Sequence, residues 1–102
     1  MNFDSLSNKT ILHISDLIED ADCDGCIDIE YNEGVLTCVT EKGTYIINKN
    51  SAVKEIWLSS PISGAHHFRY IDEHWINKDE NDLYEVIADE FERITGVKIH
   101  AK

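Results

Sequence analysis

The spacing of the apolar residues changes twice along the chain, and this change restricts the fold more than any other feature. Apolar residues recur at helical spacing from Asp4 to Ala21, on alternate positions within the segment from Cys26 to Ile76, and at helical spacing again from Asp82 to Thr95. A helix, a run of strands and a second helix form an α+β pattern. The chain is therefore predicted to fold as a two-layer sandwich, in which two helices pack on one face of an antiparallel sheet of about six strands.

Turn residues divide the alternating segment into short strands. Glycine and polar residues interrupt the alternation at residues 32–34 and 41–43, and a segment containing the single proline interrupts it at residues 61–65. Residues 49–53 are predicted as a loop. The predicted strands follow one another as a meander and cover residues 26–31, 35–40, 44–48, 54–59, 66–70 and 74–76.

The ends of both helices carry residues that commonly cap helices. Asp4, Ser5 or Ser7 is predicted to cap the first helix, because a short polar side chain there can accept a hydrogen bond from a free backbone N–H. Asp82 is predicted to cap the second helix in the same way, and Gly96 is predicted to end it.

Composition excludes several classes of function. The 102 residues suffice for one domain, residues 1–102, and the net charge of −11 argues against nucleic-acid binding because such a surface repels phosphate. No apolar run approaches the ~20 residues that span a bilayer, so membrane insertion is not expected. The N-terminal residues lack the features of an export or transit peptide, and three cysteines fit a reducing compartment. A cytoplasmic protein is predicted.

Acidic residues are crowded into one part of the chain. Residues 1–33 contain nine Asp or Glu and one Lys. Asp16, Glu19 and Asp20 share one helix face near the C-terminal end, where the helix dipole disfavours negative charge, and each like-charged i, i+4 pair costs about 0.2–0.5 kcal/mol. Carboxylates suit hard or borderline cations such as iron, manganese, calcium or magnesium, and a convex surface of them predicts weak, multi-site, poorly selective binding. We call the candidate metal ligands the acidic ridge: Asp16, Glu19, Asp20, Asp22, Asp24, Asp28 and Glu30.

Cysteines and histidines offer weaker signals. Cys23 and Cys26 form a C-x-x-C sequence, but Cys38 is the only other cysteine, so the four ligands of a structural zinc site are missing. His66 and His67 are adjacent in a predicted strand and point to opposite faces. His13 is predicted to be half-buried beside the apolar stripe of the first helix. With no hydrolytic triad or phosphate-binding loop in the sequence, no enzymatic activity is predicted.

Trp57 has the pattern of an exposed recognition residue. Ile56 and Leu58 are predicted to face the core, so the alternation places Trp57 on the solvent side of the sheet. An exposed tryptophan is typical of a binding surface. Trp75, which lies among apolar neighbours, is predicted to be in the core.

Three segments carry a resemblance to a known family. The sequences GVLT at residues 34–37, GTYIINK at residues 43–49 and IWLSSPISG at residues 56–64 resemble the frataxin family, in particular its bacterial members. The resemblance extends over nearly the whole chain. It departs at Ala52, where the family commonly has proline, and at His67, where mitochondrial members often carry a basic residue. A histidine there implies a pH-dependent contact.

The resemblance implies a function. It implies an iron-binding regulator or iron donor in iron–sulfur cluster assembly, which binds ferrous or ferric iron weakly and reversibly at the acidic ridge. The implied partners are a cysteine desulfurase and an iron–sulfur scaffold protein, with a monomer that can oligomerise with iron. Two alternatives remain open: a ferroxidase that stores iron, and an adaptor that modulates the desulfurase. The implied partner-binding residues are Asn48, Asn50, Glu55, Trp57 and His67.

Overall fold

The computed structural model describes residues 2–22 and 25–99. Its strands form one six-stranded antiparallel sheet in the order β1-β2-β3-β4-β5-β6, so the predicted meander is confirmed. The elements are α1 (Phe3–Ala21), β1 (Asp28–Asn32), β2 (Val35–Thr40), β3 (Gly43–Asn50), β4 (Glu55–Ser60), β5 (Gly64–Ile71), β6 (His74–Ile76) and α2 (Leu83–Thr95).

The two helices and the inner face of the sheet enclose one apolar core. Helix α1 packs over β1, β2 and β3, and α2 lies beside β6. Trp75 is 2% exposed, which confirms its predicted core position. This is the predicted α+β sandwich. Its most deeply buried side chains are Ile11, Ile14, Ile18, Leu36, Tyr45, Ile47, Ile56, Leu58, Phe68, Leu83, Ile87 and Phe91.

Strand β3 is longer than the sequence predicts. Lys49 and Asn50 were expected in a loop, but they pair with Ile56 and Glu55 and extend the β3–β4 hairpin. The connection is short because the side chain of Asn50 accepts hydrogen bonds from the backbone N–H groups of residues 52 and 53. The polar residues that suggested a loop are thus the ones that close a tight turn.

The predicted cap of α1 is wrong. Helix α1 begins at Phe3, and Asn2 caps it by accepting a hydrogen bond from the backbone N–H of Ser5 at 2.8 Å. Asp4 instead accepts a hydrogen bond from Ser51 and pairs with Lys49 at 3.5 Å, which joins α1 to the β3–β4 turn. These contacts lower the pKa of Asp4, the hydrogen bond from Ser51 being the main cause.

The predicted ends of α2 are confirmed. The side chain of Asp82 accepts a hydrogen bond from the backbone N–H of Tyr84 at 2.8 Å. Gly96 ends the helix in the left-handed conformation, with φ of 76°.

A buried carboxylate joins α2 to the sheet. Glu90 is 5% exposed and accepts hydrogen bonds from the hydroxyl groups of Tyr45 at 2.8 Å and Ser60 at 2.5 Å through one oxygen, and from Ser63 through the other. Ser60 and Ser63 both belong to the IWLSSPISG sequence. Burial, and then the adjacent Glu90, raise the pKa of Tyr45, so its hydroxyl remains a donor.

Two hairpin turns touch at Gly43 and Pro61. Gly43 has φ of 134°, and a Cβ atom added there would lie 2.5 Å from the Cβ of Pro61. Only glycine fits this position without a shift of the proline ring. The turn between β2 and β3 is therefore packed directly against the turn between β4 and β5.

Candidate functional site

The described carboxylates of the acidic ridge lie along one edge of the molecule. Asp16, Glu19 and Asp20 are exposed in the last turns of α1, and Asp28 and Glu30 are exposed on β1, the first strand of the sheet. Helix α1 has no basic residue in its last turn. Over residues 2–22 and 25–99, none of these five carboxylates forms an ion pair. Within the described residues, no basic side chain therefore neutralises their negative charges.

Asp22 has a structural role at the end of α1. Its two carboxylate oxygens accept hydrogen bonds from the backbone N–H groups of Cys26 at 2.9 Å and Ile27 at 2.8 Å. These bonds direct the chain from α1 into β1. Each oxygen still has a second lone pair for a cation. Asp24 and Cys23 lie outside the described residues, so their predicted roles remain predictions.

The ridge has the chemistry of a cation-attracting surface. Within the described part of the chain, no three His, Cys, Asp or Glu side chains stand close enough to hold one metal ion together. A cation at the ridge would contact one or two carboxylates and keep most of its water ligands. Oxygen donors of this kind fit ferrous and ferric ions.

A second group of functional side chains lies on the outer face of the sheet. The rings of Trp57 and His67 are stacked, with centroids 4.3 Å apart and an interplanar angle of 14°. The indole N–H of Trp57 donates to Glu55 at 2.8 Å, and Arg69 donates to the other oxygen of Glu55 at 3.0 Å. Trp57 is half-buried on the predicted side of the sheet, held at one ring face and at its polar edge.

Glu55 holds this group together and is itself 8% exposed. Its pKa is lowered, chiefly by the hydrogen bond from Trp57 and then by the one from Arg69. Sequence reasoning assigned Glu55 to partner binding and missed Arg69. The alternation of side chains along β5 could have predicted the position of Arg69, because Arg69 lies two residues after His67 and therefore on the same face of the strand.

Asn48 extends the group across the sheet. It pairs with Trp57, which in turn pairs with His67, so three strands contribute to one row. Asn50 is used in the β3–β4 turn described above and is less available to a partner. Beside the row lie three exposed aliphatic residues that sequence reasoning did not select: Val35 at 38%, Val39 at 44% and Ile46 at 39% exposed.

The histidines and the cysteine considered in the sequence analysis contact neighbouring side chains or are buried in the core. His13 is exposed and contacts the edge of Tyr84, so the half-buried position predicted for it is wrong. His66 contacts Phe68 and Ser63, whereas His67 contacts Trp57, which confirms that the two imidazoles face opposite ways. Cys38 is buried, and burial raises its pKa to about 12, so its thiol is unreactive.

Substitution of Glu55 tests the link between charge and stability. Because folding lowers the pKa of Glu55, its ionised carboxylate stabilises the folded protein. The stabilisation is complete at pH values above the pKa of Glu in the unfolded chain, and it is lost as the pH falls through the lower pKa of the folded protein. We expect Glu55→Gln to lower the free energy of unfolding by about 1 kcal/mol at neutral pH, with the difference shrinking in acid. Urea unfolding at a series of pH values measures this. Glu30 is exposed and forms no ion pair within the described residues, so Glu30→Gln is the control. A loss of stability in Glu55→Gln that is constant with pH would contradict the assignment.

Comparison with known proteins shows the family of this chain. The sequence profile of the frataxin-like domain matches residues 1–97. The chain belongs to the frataxin family. It is 36% identical over 105 aligned residues to the mitochondrial frataxin of Arabidopsis thaliana, covering 95% of this chain and 56% of that protein.

Solved frataxin structures share the fold. Trimeric frataxin from Saccharomyces cerevisiae, in a ferrous complex, has a TM-score of 0.78 at 32% identity, covering 85% of this chain and 82% of that one. A Psychromonas ingrahamii frataxin, from a study of the CyaY protein family, also has a TM-score of 0.78, at 20% identity over 100% of this chain and 99% of that one. The chain spans about half the length of the curated mitochondrial frataxins it matches. In the described residues, neither helix has the length and apolar character to cross a bilayer.

Proposed function

We propose that this frataxin-family protein binds iron weakly and reversibly at the acidic ridge and acts as an iron-binding regulator or iron donor in iron–sulfur cluster assembly. The observation that carries the proposal is the row of exposed carboxylates on α1 and β1 that form no ion pair within the described residues. This row adjoins an outer sheet face on which Glu55, the acid beside Trp57, is paired with Arg69. We assign attraction of cations to the first surface and recognition of a protein partner to the second.

Iron is the cargo in this proposal. Carboxylates spaced along an exposed edge bind a metal ion by charge and by few direct ligands, so the ion exchanges readily. Ready exchange is what delivery requires, because a closed coordination cage would retain the metal. Neutralisation of the ridge by bound iron also lowers repulsion between copies, which fits a monomer that oligomerises with iron.

The two surfaces fit the two proposed partners. The acidic ridge attracts the basic flank of a cysteine desulfurase, and the row of Asn48, Trp57 and His67 contacts the scaffold protein. Charge steers the first contact, whereas the stacked tryptophan supplies apolar area for the second.

Iron titration followed by NMR tests the ridge. We expect ferrous iron, added without oxygen, to broaden amide signals across residues 16–30 and to leave the outer face of β4 unaffected. The variant Asp16→Asn/Glu19→Gln/Asp20→Asn should lose most of the broadening near the end of α1. A control of equal charge change, Asp79→Asn/Glu80→Gln/Glu85→Gln, should retain it, because these exposed acids lie outside the ridge. Broadening confined to the cysteines would refute carboxylate binding.

A further inference from the structure

The outer edge of β1 is open in the part of the sheet that the structure describes. Strand β1 pairs with β2 on one side only, because it is the first strand of the sheet. The opposite edge, β6, is only three residues long and is partly closed by a bridge between Ile76 and Asp82. An edge strand directs alternate backbone N–H and C=O groups away from its sheet, where they can pair with another chain. The β1 edge is therefore the longer available template.

The side chains of β1 define what could pair there. Asp28 and Glu30 are exposed on the outer face, whereas Ile29 and Tyr31 are half-buried on the inner face. Ile29 and Tyr31 are half-buried where the sheet ends, so a further strand would cover them. A strand added beside β1 would place alternate residues next to the two acids and the intervening residues next to the two apolar side chains. The complement is a strand that alternates basic and apolar residues.

We propose that β1 accepts an extended segment of a partner protein, with alternating basic and apolar residues, as a seventh strand. This inference rests on the proposed attraction of a basic partner by the acidic ridge and adds the mode of contact. Backbone hydrogen bonds would supply affinity, and the alternation of side chains would supply selectivity. The carboxylates at the end of α1 extend the negative field that attracts the segment.

The same charges exclude a second copy of this chain at the edge. Pairing of two β1 strands would bring Asp28 and Glu30 of one copy beside the same acids of the other, and like charges on adjacent strands repel. Charged side chains are a common protection of edge strands against self-association. On β1 the protecting charges are both negative, so they repel an acidic strand and favour a basic one.

Three synthetic peptides of the same length test the proposal on the full-length protein. The first alternates lysine and valine, the second has the same composition with its lysines and valines in two blocks, and the third is the alternating peptide N-methylated at every residue. All three carry equal charge, but only the first combines alternation with free backbone N–H groups. We expect the first to bind about tenfold more tightly than the other two at ~0.15 M salt, because they lose the strand hydrogen bonds or the side-chain register.

Amide signals of β1 report where the peptide binds. The alternating peptide should shift these signals and slow their hydrogen exchange, and Asp28→Lys/Glu30→Lys should abolish binding. Asp89→Lys/Glu92→Lys, with the same charge change on exposed positions of α2, should retain it. Equal binding of all three peptides would mean ionic attraction alone and would overturn strand addition, as would failure of the alternating peptide to bind. The iron titration above judges the ridge independently of either result.

Discussion

We expect the Glu90→Ala variant to lower the free energy of unfolding by about 3 kcal/mol or more. The substitution removes the acceptor of three hydroxyl groups, among them the hydroxyl of Tyr45, whose residue is 0% exposed. Each buried polar group left unsatisfied costs about 1–3 kcal/mol. Since small domains are stable by only about 5–15 kcal/mol, this loss is large. Urea or thermal unfolding measures it.

Neighbouring substitutions show whether the effect belongs to the buried cluster. Asp89→Ala, on the exposed side of the same helix, removes a carboxylate and should cost less than about 0.5 kcal/mol. Glu90→Gln, which keeps an acceptor oxygen but loses the charge, should fall between the two. If Glu90→Ala unfolded at the same denaturant concentration as Asp89→Ala, the cluster would not hold the β4–β5 turn to α2.

Trp57→Ala should weaken the proposed association with an iron–sulfur scaffold protein about 30-fold or more. A half-buried tryptophan at the centre of a sheet face is the type of residue whose truncation costs about 2–4 kcal/mol of binding free energy. The ring is already fixed by His67 and Glu55, so little side-chain entropy is lost when a partner contacts it. Titration calorimetry with purified scaffold protein measures the change.

The controls for Trp57 separate surface hydrophobicity from recognition. Leu12→Ala truncates a residue that is 45% exposed on α1 and should leave scaffold binding unchanged. Trp57→Phe keeps a ring to stack on His67 but loses the hydrogen bond to Glu55, so an intermediate affinity is expected. Scaffold binding that is equal in Trp57→Ala and Leu12→Ala would remove the sheet face from the proposed interaction.

The fold was predictable because local patterns and the final structure agree. The two helical stripes, the alternation of β4 and the caps Asp82 and Gly96 are each set by neighbours in sequence. Predictions failed where a distant residue decides the outcome. Lys49 and Asn50 join β3 because they pair with β4. Asp4 lies inside α1, which Asn2 caps, and its carboxylate contacts the distant Ser51.

The candidate site was predictable to a smaller extent. Side-chain type and spacing located the carboxylates of the ridge and the outward face of Trp57. They did not reveal that Glu55 and Arg69 fix the tryptophan, since the two are 14 positions apart and meet only across paired strands. The spacing of residues along one strand also did not predict that Val35, Val39 and Ile46 form one exposed aliphatic group. These residues come together because β2 and β3 are paired in the sheet.

The contact between Gly43 and Pro61 predicts covariation between two sites distant in sequence. A side chain at position 43 would overlap the proline ring, and a smaller residue at position 61 would leave a gap beneath the glycine. Neither position can therefore change freely alone. Relatives that carry a larger residue at one of the two positions should differ at the other as well, so that evolutionary drift in one hairpin is constrained by its neighbour.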